Sequence, residues 1–127
     1  MDKKKYLISG VVLGLTLLLT SCTDSLGTRY VSFAQCVTSK GATMYGAYWC
    51  PHCANQKKMF GSTAFKEINY VECDPRGAGG NPQLCQQKGV EGYPTWIFAD
   101  GSKTQGELTL EQIAEKTTCE LPPPKAK

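Results

Sequence analysis

The first half of the chain combines helical spacing with a short apolar run. Four apolar side chains recur at i, i+3, i+4 and i+7, as on one face of a helix: Tyr30, Phe33, Ala34 and Val37. Lys40-Gly41 is a typical end for that helix. Residues 42–49 are short, apolar and aromatic, which predicts a buried strand.

A second helix is predicted directly after this strand. Pro51 suits its first turn, where the missing N–H costs nothing, and the helix would run to about Phe60. Residues 68–73 predict another strand, and the Gly- and Pro-rich residues 74–82 predict a loop. Residues 83–88 then predict a short helix.

The sequence of the last part of the domain predicts a hairpin followed by a capped helix. Residues 95–99 and 103–108 predict two strands joined by Asp100-Gly101, a strong hairpin signal. Thr109 caps the last helix, with Gln112 as its capping-box partner.

This order of elements predicts an α/β fold. Strands that alternate with helices give βαβ units, and the closing hairpin adds antiparallel strands, so the sheet should be mixed, four-stranded and flanked by helices. A chain of 127 residues holds one small domain. We place that domain at residues 30–119, after a linker over 22–29 and before a polar tail over 120–127.

The N-terminus resembles a secretory signal. A basic segment, Lys3 to Lys5, precedes an apolar stretch from Tyr6 to Leu19. That stretch is shorter than the ~20 residues a membrane span needs. Leu19-Thr20-Ser21-Cys22 resembles a bacterial lipobox, in which the cysteine becomes the lipid-modified mature N-terminus.

We therefore expect a lipoprotein signal over residues 1–21 and lipidation at Cys22. An uncleaved anchor helix and an ordinary cleaved signal remain alternatives. Each of the three places the domain outside the cytoplasm, where disulfides persist. The expected location is the periplasm or the outer face of the cytoplasmic membrane, with the domain anchored to the membrane.

Charge argues against nucleic acid as a partner. The formal net charge is +3, and three of the positive residues lie in the leader. After residue 21 the chain has 11 Lys and Arg against 10 Asp and Glu. A domain this close to neutral gives no electrostatic case for binding a polyanion.

Cys50-Pro51-His52-Cys53 at a strand-to-helix junction predicts a redox centre. Cys50 would lie at a helix N-terminus, where free N–H groups and the helix dipole favour a thiolate nucleophile. Cys53, one turn further on, would resolve the mixed disulfide that Cys50 forms. His52, the one histidine, would place positive charge near Cys50 and make the disulfide a stronger oxidant.

No cofactor or resident metal is expected at this centre. A zinc site commonly uses two short cysteine pairs, and the chain has one. Ala54 follows Cys53, which excludes the Cys-x-x-Cys-His motif of covalent haem. A thiol-based metal-binding or redox-sensing module remains the alternative function, since paired thiolates suit soft metals such as Cu(I).

Two segments carry a resemblance to the thioredoxin superfamily, Ala47–Cys53 and Val90–Trp96. Together with Met44–Tyr48 and Tyr70–Asp74, they most resemble the thioredoxin-like domain associated with bacterial vitamin K epoxide reductase homologues, over roughly residues 30–118. The Pro-His pair is shared with the periplasmic oxidase of the Dsb system. The resemblance implies a membrane redox partner, which here would be a separate chain.

The resemblance also assigns residues beside the redox pair. Pro94 matches the superfamily's cis-proline, although a trans turn proline is an alternative. A cis bond would expose the Tyr93 backbone to substrate as an added strand, and Trp49 would lie at the same surface. One departure is Met44, which stands where thioredoxins carry a buried Asp, so the proton relay of that Asp cannot be carried over.

Four further cysteines remain. Related domains have a disulfide where Cys73 and Cys85 stand, with free thiols or a second redox pair as alternatives. The remaining even number of cysteines makes a bond between Cys36 and Cys119 possible. In this fold the two helices usually cover opposite faces of the sheet, too far apart for a bond, but Cys119 lies past the helix body and its chain could wrap back. The sequence thus predicts an enzyme that exchanges disulfides with secreted proteins, favouring oxidation of their thiols.

Overall fold

A computed structural model describes residues 28–125. The predicted signal over 1–21, the predicted lipidation site at Cys22 and most of the linker lie outside the described residues. Within 28–125, no helix combines the length and the apolar character that a membrane crossing requires.

The described residues form helices and strands in the following order: α1 (Val31–Ser39), β1 (Thr43–Gly46), α2 (Pro51–Phe60), α3 (Ser62–Phe65), β2 (Tyr70–Glu72), α4 (Pro82–Gln87), β3 (Thr95–Ile97), β4 (Lys103–Gln105) and α5 (Leu110–Thr117).

The strands form one mixed four-stranded sheet in the order β2-β1-β3-β4. Strands β1 and β2 run parallel, while β1–β3 and β3–β4 are antiparallel. The first two strands are joined through α2, as a parallel pair requires a crossover. This arrangement confirms the predicted α/β fold with helices flanking a mixed sheet.

Side chains that alternate along the strands build a core on each face of the sheet. On one face, Met44 and Trp96 are fully buried against α1, α2 and α5. On the other face, Tyr45 packs with Cys73 and Cys85 near α4. Residues of α2 belong to the larger core, so the helix that carries the cysteine pair is packed against that core.

The strands are shorter than predicted. Residues 42 and 47–49 fall outside β1, and residues 106–108 fall outside β4. Ala42, Ala47 and Leu108 are nevertheless buried. The strands were predicted too long because apolar composition indicates that a residue is buried, and does not indicate that it pairs in a sheet.

Helix α3 was not predicted. Gly61 ends α2 with a φ of 85°, a conformation that a residue with a side chain adopts at a cost, and the chain starts a new turn at once. Ala64 and Phe65 then pack against the larger core. By contrast, α2 has the predicted bounds. The predicted capping box of α5 is also present: Thr109 Oγ1 accepts a hydrogen bond from the Gln112 N–H, and Gln112 Oε1 accepts one from the Thr109 N–H.

Both cysteine pairs are bonded. Cys73–Cys85 joins the end of β2 to α4, and Cys36–Cys119 joins α1 to the segment after α5. The geometric objection to the second bond was wrong, because α1 and α5 pack into the same core and bring the two Cα atoms to 5.9 Å. The segment after Cys119 also stays in contact with the domain, since Arg29 donates a hydrogen bond to the Pro123 carbonyl.

Removing either disulfide should lower the free energy of unfolding. Chain entropy gives about 3 kcal/mol for the separation of 12 residues between Cys73 and Cys85, and about 4.5 kcal/mol for the 83 residues between Cys36 and Cys119. Urea unfolding of the two double-alanine variants, with Cys50 and Cys53 in one redox state throughout, measures both. A smaller loss for the Cys36 and Cys119 variant would contradict the entropic account.

Candidate active site

The cysteine pair lies at the N-terminus of α2. Cys50 is the N-cap residue with extended backbone, and Pro51 occupies the first helical position. The Cys53 N–H donates to Cys50 Sγ over 3.4 Å, so the sulfur takes the place of a capping oxygen. Both cysteines are free thiols and both are buried. The structure therefore gives Cys50 the helix-end position that favours a thiolate.

Cys53 holds its proton strongly. Burial, together with the nearby Cys50, raises the pKa of the Cys53 thiol to about 12, although a hydrogen bond from the Ala47 backbone and the charge of Lys57 act in the opposite direction. Cys53 is accordingly a neutral thiol at physiological pH. Because only a thiolate attacks a disulfide, Cys53 must lose a proton before it can react.

The loop before β3 faces the first cysteine. The Tyr93–Pro94 peptide bond is cis, and Pro94 is fully buried. The Cys50 thiol points at the Tyr93 carbonyl oxygen, with 3.7 Å between the two atoms. The structure thus brings together Cys50, Tyr93 and Pro94, as the resemblance to the thioredoxin superfamily implied.

An aromatic surface lies next to this loop. Trp49 is 55% exposed, and its ring meets the Tyr93 ring edge to face at 6.1 Å. The Trp49 indole N–H donates to Asp74 Oδ2 over 2.8 Å. Arg76 binds both oxygens of the same carboxylate, which holds the pKa of Asp74 well below its usual range. An exposed apolar ring fixed in this way can serve as a docking surface for an extended chain.

His52 contacts a carboxylate that the sequence did not reveal. His52 Nδ1 lies 2.6 Å from Glu107 Oε1, and the Asn55 amide donates to the same oxygen over 3.3 Å. These bonds lower the pKa of Glu107. The imidazole thus pairs with Glu107, whose negative charge offsets the charge that a protonated His52 would place near Cys50.

Asp74, Arg76 and Glu107 were all absent from the sequence-based site. Asp74 is the last residue of the segment Tyr70–Asp74, which carries part of the family resemblance. Its role as the acceptor for Trp49, however, depends on the conformation of the loop after β2. Glu107 lies 55 residues from His52. Only folding, which brings the segment after β4 beside α2, makes it a neighbour.

No metal site accompanies the thiols. Across residues 28–125, no group of three or more His, Cys, Asp or Glu side chains is arranged to hold a metal ion.

Comparisons with known proteins agree with this geometry. The chain is 43% identical over 101 residues to thiol-disulfide oxidoreductase LTO1 of Arabidopsis thaliana, covering 77% of the chain and 27% of that relative. It is 40% identical over 59 residues to protein disulfide-isomerase A5 of Mus musculus, covering 43% of the chain and 11% of the relative. The chain thus spans about a quarter or less of either relative. No protein-family model matches it.

The chain has a thioredoxin-like fold. Its sheet order, its Cys-x-x-Cys at the start of α2 and its cis-proline before β3 agree with that assignment. Among solved structures, chloroplastic thioredoxin z matches with a TM-score of 0.48 at 19% identity, over 68% of this chain and 85% of that one.

The two thiols should differ sharply in reactivity. In the reduced protein at pH 8, iodoacetamide should modify Cys50 and leave Cys53 intact, because Cys53 is 1% exposed and its pKa is about 12. In a Cys50→Ser variant, labelling of Cys53 should stay low and rise about tenfold per pH unit above pH 8, since the thiolate fraction rises by that factor below the pKa. Peptide mass spectrometry measures both sites. Rapid labelling of Cys53 at pH 8 in the folded variant would contradict this picture.

Proposed function

We propose that this protein is a thiol–disulfide oxidoreductase that acts on secreted protein thiols. The observation that carries the proposal is the placement of Cys50 Sγ, which caps α2 and lies 3.7 Å from the Tyr93 carbonyl beside the exposed Trp49 ring. This position offers a reactive sulfur, backbone groups for an extended substrate and an apolar contact, all on one surface.

The exchange runs through a mixed disulfide at Cys50. A substrate thiolate attacks Cys50 Sγ, the Cys50–Cys53 bond breaks and Cys53 leaves with the electron pair. A second substrate thiolate then attacks the substrate sulfur of the mixed disulfide and releases Cys50 as a thiolate. The substrate has lost two electrons, and the cysteine pair has gained them.

A second redox protein must then oxidise the cysteine pair. We propose a separate membrane protein of the vitamin K epoxide reductase-like or Dsb type, in line with the resemblance of residues 30–118 to domains associated with such proteins. Cys50 would attack the partner's disulfide, and Cys53 would displace the partner sulfur. An oxidising compartment favours this direction over reduction of targets, whereas the contribution expected from His52 is offset by its contact with Glu107.

The proposed location is the outer face of a bacterial membrane. The basic segment, apolar stretch and Leu19-Thr20-Ser21-Cys22 sequence support export and a lipid anchor on Cys22. Two disulfides in the domain suit a compartment in which disulfides persist. A lipid anchor would hold the domain close to a membrane partner.

Activity should depend on the two cysteines in different ways. With glutathione disulfide as oxidant and reduced ribonuclease A as substrate, Cys50→Ser should lower the rate of disulfide formation at least 100-fold, because the attacked sulfur is gone. Cys53→Ser should instead accumulate a mixed disulfide of Cys50 with glutathione when it is incubated with the oxidant alone, because the thiol that would displace the oxidant's sulfur is gone, and mass spectrometry detects this adduct. Wild-type protein that fails to accelerate the reaction would overturn the proposed function.

Lipid attachment can be tested through Cys22. Cells that express the full chain should incorporate labelled palmitate into the wild type and not into Cys22→Ser, and the wild type should sediment with membranes. Cys50→Ser serves as the matched control, since it removes a different cysteine and should keep the label. Equal labelling of wild type and Cys22→Ser would overturn the proposed anchor.

A further inference from the structure

Cys53 requires a proton acceptor that its own strand and helix do not provide. Its thiol must lose a proton to resolve a mixed disulfide, and its pKa is about 12. The acid that thioredoxins carry on the first strand is replaced by Met44, which is fully buried and has no titratable group. Along β1 and its end, Met44 has no titratable group, and Gly46 and Ala47 have no polar side chain.

The neighbouring strand brings two titratable groups to this place. In the parallel pairing of β1 and β2, Tyr70 stands opposite Met44, and Glu72 stands opposite Gly46. A methyl group built on Gly46 would lie 2.8 Å from Cys53 Sγ and 3.2 Å from Tyr70 Oη. Cys53 and the Tyr70 hydroxyl therefore pack over the same glycine, in space that a side chain would otherwise fill.

Tyr70 and Glu72 form a hydrogen-bonded pair, in which Glu72 is buried and Tyr70 is partly buried. The Tyr70 hydroxyl donates to Glu72 Oε2 over 2.8 Å, and the Asp74 N–H donates to Glu72 Oε1 over 2.9 Å. Glu72 is 7% exposed, and Gly77 packs so closely that a Cβ there would lie 2.5 Å from Glu72 Cγ. Burying a carboxylate is costly. A buried carboxylate at a position opposite Gly46, over which Cys53 packs, therefore points to a functional role.

The other charged group near Cys53 is Lys57. Its Nζ lies 4.0 Å from the centre of the Tyr70 ring. The titratable groups around Cys53 are thus Cys50 and Lys57 from α2 and Tyr70 from β2, and Glu72 is linked to them through the Tyr70 hydroxyl. The ammonium of Lys57 favours the Cys53 thiolate, but it is a donor and has no site for another proton. The carboxylate of Glu72 is the member of this group that can take one up.

We propose that Tyr70 and Glu72 together accept the proton of Cys53 when the mixed disulfide at Cys50 is resolved. Burial and the bond to Glu72 strongly raise the pKa of Tyr70, so the phenol does not act as a base by itself. It acts as a relay: its oxygen takes the Cys53 proton while its own proton passes to Glu72. Sγ and Oη lie on the same side of Gly46 without a hydrogen bond between them, and the proposal requires them to approach to hydrogen-bond distance in the mixed disulfide, as catalytic groups commonly do.

Protons and electrons balance in the step that resolves the mixed disulfide. Cys53 gives its proton to Tyr70, and Tyr70 gives one to Glu72 Oε2. The Cys53 thiolate attacks Cys50 Sγ, a Cys50–Cys53 bond forms, and the bond from Cys50 to the partner sulfur breaks. The partner leaves as a thiolate with the electron pair, so the cysteine pair is oxidised by two electrons and the partner is reduced. The reverse step returns the proton to Cys53. This inference rests on the proposed exchange reaction.

The test separates the two cysteines in time. Reduced protein is mixed with one equivalent of 5,5′-dithiobis-(2-nitrobenzoate) in a stopped-flow instrument, and release of thionitrobenzoate is followed at about 412 nm. The first phase reports the attack of Cys50 on the reagent. The second, first-order phase reports the attack of Cys53 on the mixed disulfide. The variants are Tyr70→Phe and Glu72→Gln, and Tyr45→Phe is the matched control on the opposite face of the sheet.

The relay predicts a selective effect on the second phase. At pH 7, Tyr70→Phe and Glu72→Gln should slow it about tenfold or more, whereas the first phase should stay within twofold of wild type. The variant rates should rise about tenfold per pH unit and approach the wild-type rate at high pH, where hydroxide replaces the acceptor. A merely structural role would not produce this pH profile. Tyr45→Phe should leave both phases unchanged.

Other outcomes would overturn the inference. Second phases within twofold of wild type at pH 7 in folded variants would show that the pair accepts no proton. Should Tyr70→Phe fail to fold, Glu72→Gln carries the same test. Oxidation of reduced ribonuclease A by the wild type is assayed separately, so a protein with a normal second phase and no such activity would contradict the proposed function and not the relay.

Discussion

Helix α2 packs onto β1 so closely at Gly46 that a methyl group there would lie 2.8 Å from Cys53 Sγ. This contact buries Cys53 in the first turn of α2, and burial is the main reason why the pKa of the Cys53 thiol is raised. It also fixes the start of α2, so that Cys50 caps the helix and meets the loop before β3. The different environments of the two sulfurs, and hence their different roles in the proposed exchange, depend on this packing contact.

The rest of the domain supports that contact from both faces of the sheet. The larger core joins residues of α1, α2 and α5 to one face of the sheet. The smaller core, with its Cys73–Cys85 bond, fixes the segment after β2, which contains the acceptor for the Trp49 indole. The Cys36–Cys119 bond ties α1 to the segment after α5. In a domain this small, two such bonds add stability that a limited core does not supply.

Much of this arrangement could be predicted from local sequence. Helix α2, the capping box of α5 and the junction at Cys50 depend on residues within a few positions of one another, and the local pattern predicted all three. The strand ends were less accurate, because Ala47 and Leu108 are buried without pairing in the sheet. The contact between His52 and Glu107 was absent from the prediction, since it joins segments 55 residues apart. The pairing of Tyr70 with Met44 across β1 and β2 also depends on strand register, which no local pattern specifies.

The central claim is that Cys50 and Cys53 form a redox pair that donates its disulfide to substrates. The most direct measurement is the reduction potential of this pair in the purified domain, by equilibration with glutathione buffers and quantification of free thiols. The account predicts a potential near −120 to −180 mV, the range of oxidases and isomerases. A potential near −270 mV, as in thioredoxin, would contradict it and would mean that the protein reduces its targets.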